Sequence, residues 1–147
     1  MRAFPLAAFL ALWLVAPLAA LTFETETLGV PTDGGLIELT VEIADTPARR
    51  SRGYMERTDI GERDGMLFVY ATDRPVSMWM ESTPTSLDMI FLEADGTIGS
   101  IEVNTTPFSR AIVDSEGEVR FVLEVLGGSV ERWGLEPGDR LVSPRFE

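Results

Sequence analysis

The chain has 147 residues, 45% of them apolar, which suits one domain with a substantial core. It has no Cys and no His, and all 12 basic residues are Arg, so thiolate, imidazole and lysine chemistry are excluded, as are Cys/His zinc and haem sites. The net charge of −12 opposes binding to nucleic acid or to an anionic membrane surface, where affinity comes from neutralising phosphates.

At the N-terminus, Arg2 supplies a positive start, residues 3–16 are apolar throughout, and Pro17-Leu18-Ala19-Ala20 offers small residues for cleavage. This pattern predicts a signal peptide over residues 1–20 and a single mainly β domain over residues 21–147. The apolar run is shorter than the roughly 20 residues of a comfortable membrane span. With no Cys, a lipoprotein anchor is closed. Cleavage removes one Arg and no acid, leaving 11 Arg against 24 acids and a charge of −13. The expected product is exported, periplasmic in a Gram-negative host, and membrane-bound only through an uncleaved N-terminal segment.

Residues 22–30 read as an edge strand, and Asp33-Gly34-Gly35 as a turn. Residues 37–43 alternate without a fault, aliphatics toward the core and acids toward solvent. Thr46 then serves as an N-cap with Pro47 at the first helical position, opening a short helix before Gly53. Five arginines follow closely: Arg49, Arg50, Arg52, Arg57 and Arg63. Such a cluster can fork onto an anion. Arg49, Arg50 and Arg63 are assigned to surface ion pairs instead, and Arg57, beside apolar Met55, is kept as the candidate site residue.

The stretch from Gly65 to Gly96 has the densest apolar patterning. It contains strand-like runs at residues 66–70, 76–80 and 87–92, the last two separated by the hydroxyl-rich loop of residues 82–86. Alternation in the third run places Asp88 on a face with Ile90 and Leu92, where a carboxylate is costly unless partnered. The expected partners are the hydroxyls and N–H groups of residues 82–86. A structural role, pinning that loop to the sheet, is the favoured reading over a site carboxylate. Met66, Met78, Met80 and Met89 are read as core filling, because no His, Cys or acid spacing supports a thioether metal site.

An Asp95-Gly96 hairpin leads into a return strand over residues 97–103, and residues 104–110 and 114–118 read as loops. Residues 119–126 form a strand that puts Glu124 between Val122 and Leu126, a second acid on an apolar face. Gly128 opens a short helix through Trp133, Gly134 ends it, and residues 140–143 form a last strand. The fold class is mainly β: a compact β-sandwich or partly open barrel with one or two short helices.

Taken together, Arg52-Gly53-Tyr54-Met55 with Arg57, Gly65-Met66-Leu67-Phe68, Trp79-Met80 with Thr83, Leu87-Asp88 with Phe91, Asp95-Gly96-Thr97-Ile98, Val122-Leu123-Glu124 with Gly128, and Gly138-Asp139 resemble the prokaryotic domain-of-unknown-function 192 family. The resemblance spans residues 37–142. It implies a compact mainly β domain, commonly exported or membrane-tethered, with no established activity or cofactor. Three positions depart from the family pattern: Tyr54 stands where Leu is usual, Ser82 where Asn is frequent, and Arg49 where an acid is often found.

Two functional classes fit these residues, and neither needs a cofactor. The first is a non-catalytic envelope module binding a small polar or anionic ligand, a glycan or a peptide end. In it Arg57 forks the ligand, Trp79 provides a flat wall, and Ser82, Thr83 and Asp88 orient it. The second is a carboxylate-dependent hydrolase of envelope glycans using Asp88 and Glu124, which needs their carboxyl groups about 5 to 9.5 Å apart. The binding module ranks first, a structural or partner-stabilising protein second and the enzyme third.

Overall fold

A computed structural model describes residues 20–147; all but the last residue of the expected leader lies outside the described residues. The chain order is β1 (Glu24–Thr32), β2 (Gly35–Ala44), α1 (Pro47–Arg52), β3 (Asp64–Arg74), β4 (Ser77–Met78), β5 (Leu87–Leu92), β6 (Ile98–Glu102), β7 (Val113–Asp114), β8 (Val119–Leu126) and α2 (Ser129–Trp133). Six strands make one sheet in the order β1-β2-β3-β8-β5-β6, while β4 and β7 pair separately. All pairings are antiparallel except β2 with β3, which α1 connects as a crossover.

The sheet is partly closed by the C-terminal segment. Val142 bridges to Gly29 in β1 and Arg140 bridges to Thr97 beside β6, so one short segment touches both edge strands. With strands about 4.8 Å apart, the two edges must approach within about two strand spacings there. The fold is therefore the partly open barrel of the two expected architectures.

Alternation along the strands divides the core. Leu28, Leu39, Val41, Leu67, Ile90, Leu123 and Val125 fill the barrel interior with Val130 and Leu141. The outer face of the same sheet carries Met66, Phe68, Met89, Phe91 and Val122, covered by Tyr54, Ile60, Met78 and Met80. All four methionines of the Gly65 to Gly96 stretch lie in this outer cluster.

Local signals set α1 as expected. Thr46 is the N-cap, its hydroxyl accepting from the Arg49 N–H at 3.2 Å, and Pro47 takes the first turn, where no N–H is needed. Three segments differ from expectation. Residues 140–143, expected as a last strand, make only isolated bridges at Arg140 and Val142. Of residues 76–80 only Ser77 and Met78 are strand, and they pair with β7, which falls across the join of a predicted loop. Two-residue strands have too little periodicity to announce themselves.

Candidate functional site

β8 lies between β3 and β5, and Glu124 sits at its middle, opposite Met66 on one side and Met89 on the other. Alternation turns its side chain to the outer face, between the inward turns of Leu123 and Val125. Glu124 is buried, and its carboxyl is pushed up to about 8 by desolvation; among the described residues no hydrogen bond or neighbouring charge offsets it.

The covering layer leaves a cavity of about 200 Å³ above this carboxyl. Its depth is graded by exposure. Glu124, Tyr54, Phe68, Met78 and Thr83 are buried, Arg50, Tyr70 and Glu81 are half-buried, and Arg52, Ser77 and Trp79 are exposed at the mouth. Trp79 keeps 47% of its surface free.

The Tyr54 hydroxyl is buried without a hydrogen-bond partner among the described residues. Burial, then the charges of Glu42 and Glu124, push its ionisation well above the ordinary tyrosine range. Tyr70 is also raised by burial, against the opposing effect of Arg50, and with a smaller push from Glu124. Both hydroxyls therefore stay protonated at neutral pH.

Arg50 reaches the cavity from α1. Its Nη1 donates to the carbonyls of Asp45 at 2.9 Å and Val69 at 2.8 Å, and its guanidinium stacks 5.2 Å from the Tyr70 ring centre. Sequence reasoning assigned Arg50 to a surface ion pair; among the described residues it pairs with no carboxylate. The sequence cannot show this, because carbonyl anchors carry no side-chain signature.

The expected ligand-binding set does not converge. Trp79 and Thr83 line the Glu124 cavity. Ser82 lines a separate hollow with Glu56 and Phe108, and Arg57 lines a third beside Glu42. Arg57 is already engaged, its guanidinium paired with Glu42 at 2.5 Å and Asp59 at 3.1 Å, and it lies over the Tyr54 ring at 5.1 Å.

Asp88 is fully buried on the inward face. The loop of residues 82–86, expected to satisfy it, does not. Its carboxylate accepts from the backbone N–H groups of Asn104 at 2.8 Å, Gly128 at 3.1 Å and Val130 at 2.9 Å. It thereby caps α2, whose own N-cap Gly128 has no side chain to do so. Asp88 and Glu124 lie on opposite faces of one sheet, so they cannot flank a single glycosidic bond.

Among the described residues no group of three or more acids is placed to hold a metal ion, and no helix is long and apolar enough to cross a membrane. The family model for DUF192, described as an uncharacterized ACR, matches residues 29–143. The chain belongs to this family. A similar fold is seen in a crystal structure from Sinorhizobium meliloti 1021 that is provisionally described as a transcription regulator. That chain is 43% identical, with a TM-score of 0.80, and the match covers 83% of this chain and 95% of the other. A protein of unknown function from Novosphingobium aromaticivorans DSM 12444 is 29% identical, with a TM-score of 0.79 and coverage of 88% and 91%. A search of curated proteins gives no match.

Proposed function

We propose that this DUF192 protein is an exported, non-catalytic binding module that takes a small polar or anionic ligand in the cavity above Glu124. The observation that carries this reading is the pairing, in one concavity, of a deep unpartnered carboxyl with a guanidinium free of any carboxylate. Aromatic and thioether walls supply contact area, and a few polar groups supply orientation, as small-ligand sites require. Arg50 replaces Arg57 as the anion contact, and Trp79 and Thr83 keep their proposed places. The leader-like residues 1–20 support export.

Glycan hydrolysis by Asp88 and Glu124 has no support from this geometry. Transcriptional regulation, the description carried by the Sinorhizobium relative, is disfavoured here by the charge of −12. A structural or partner-stabilising role is what an empty ligand screen would leave.

The test is a thermal-shift screen of the secreted chain against organic anions, amino acids, peptides and envelope glycans, run beside Ser51→Trp. Ser51 is exposed at the mouth of the cavity, so an indole there obstructs entry without touching the core. The expected result is at least one compound that raises the melting temperature of the parent and not of the variant. Equal shifts in both proteins, or none at all, would refute the reading.

A further inference from the structure

We infer that the floor of the cavity is an ammonium site: the ligand is an organic amine or zwitterion that enters with its cationic nitrogen toward Glu124. This inference rests on the cavity being the ligand site and adds which end of the ligand goes in first.

Glu124 is set among the Tyr54, Phe68 and Tyr70 side chains and the thioether of Met78, with Met66 and Met89 on the flanking strands. Among the described residues no N–H donor reaches its carboxyl. A site built for an anion surrounds it with donors, as the three N–H groups around Asp88 illustrate. A carboxyl among aromatic faces and without donors offers what a cationic nitrogen needs, both a counter-charge and the negative faces of the rings.

With burial raising it to about 8, Glu124 holds a proton at neutral pH. An ammonium ion supplies the missing counter-charge, so it binds the ionised carboxylate and displaces that proton to solvent. The exchange balances: one positive charge enters and one proton leaves.

The other charged and titratable groups facing the cavity are consistent with this polarity. Arg52 and Glu81 are engaged outside it, Arg52 with Glu56 at 3.0 Å and Glu81 with Arg110. Tyr54 comes from the segment after α1 and Tyr70 from β3, both neutral, while β5 contributes Leu87, Met89 and Phe91 on this side and β4 contributes Ser77 and Met78, none of them charged. Arg50 is the remaining charge. It is half-buried while Glu124 is fully buried, so a zwitterion fits with its ammonium group deep and its carboxylate at Arg50.

The experiment is an NMR titration of the 15N-labelled protein with four matched probes: n-butylamine, norvaline, butanoate and 1-butanol. Each is run at pH 6.5 and pH 8.5. The ammonium inference predicts that n-butylamine and norvaline move the amides of Tyr54, Phe68 and Glu124. It also predicts that n-butylamine binds on the order of 20-fold more tightly at the higher pH, as the ionised fraction of Glu124 grows. Glu124→Gln should abolish both the binding and its pH dependence, with an unfolding curve confirming that the variant is folded. Norvaline binding more tightly than n-butylamine would place its carboxylate at Arg50. Binding of butanoate or 1-butanol alone, tightening as pH falls, overturns the ammonium inference and leaves the cavity a ligand site. Four probes that move no cavity amide at either pH overturn the inference, and the cavity reading then stands or falls on the Ser51→Trp screen.

Discussion

Asp88 and Glu124 sit on neighbouring strands one residue out of step, Asp88 opposite Val125 and Glu124 opposite Met89, and that offset sends them to opposite faces. Asp88 turns inward and finds three backbone donors. Glu124 turns outward and finds none among the described residues. The difference has a measurable consequence. The folded chain keeps the Glu124 proton up to about pH 8, whereas the unfolded chain releases it near 4.5. Between these values the native state binds more protons than the unfolded state, so Glu124's contribution makes stability fall as pH rises through this window and levels off above it. The slope approaches about 1.4 kcal/mol per pH unit. Glu124→Gln should match the parent near pH 4 and exceed it by a few kcal/mol at pH 8. Urea unfolding of both proteins at pH 4, 6 and 8 measures this, and a pH-independent difference would contradict it. Both acids are visible in the sequence as faults in an alternating pattern. Their partners are not, since the donors to Asp88 lie 16, 40 and 42 residues away. Ser82 shows the same limit. Its backbone is left-handed, with φ of 54°, which Asn tolerates better than most residues. The Asn that the family resemblance implies at this position would answer this backbone demand.

At the scale of the element, α1 is what delivers Arg50 to the cavity, and its two ends were unequally legible. The start is written locally, in Thr46 and Pro47. The end depends on Gly53, where φ is 46° and the N–H donates to the Arg49 carbonyl at 3.0 Å. A Cβ at Gly53 would meet the Phe68 ring at 3.3 Å, across the floor of the cavity. Gly53→Ala should therefore cost about 1 to 2 kcal/mol, from left-handed strain and a displaced ring. Chemical denaturation measures the cost, and a loss below a few tenths of a kcal/mol would show that the turn relaxes freely. Long strands such as β5 and β8 were readable because six to eight consecutive, mostly apolar residues outweigh local noise. The β4–β7 pair was not, because two residues on each side gain their pairing from a partner more than 30 residues distant. That small sheet still matters, since it sets Met78 and Trp79 over Glu124.

For the molecule as a whole, the question is what keeps a six-stranded sheet curved enough to hold an interior on one face and a cavity on the other. The C-terminal segment is the fastening. Gly29 and Val142 exchange hydrogen bonds at 2.8 and 2.9 Å, Leu141 donates to Gly96 at 3.0 Å, and Ile98 donates to Asp139 at 2.8 Å. Leu141 is buried in the barrel, and the Phe146 ring packs 5.0 Å from that of Phe121. Arg145 adds a paired contact to Glu26 on β1, at 2.9 and 2.6 Å. Removing residues 140–147 would uncover interior apolar surface and leave β1 and β6 as free edges, each a template for another chain. Burial of Leu141 and Phe146 alone is worth several kcal/mol, a large share of the margin by which a domain of this size is stable. The truncated chain should therefore unfold at a markedly lower denaturant concentration and self-associate through its edges. Light scattering and urea unfolding of the protein ending at Asp139 measure both. A monomer of parental stability would mean that the sheet holds its curvature without the fastening, and that the cavity on its outer face is set by the strands alone.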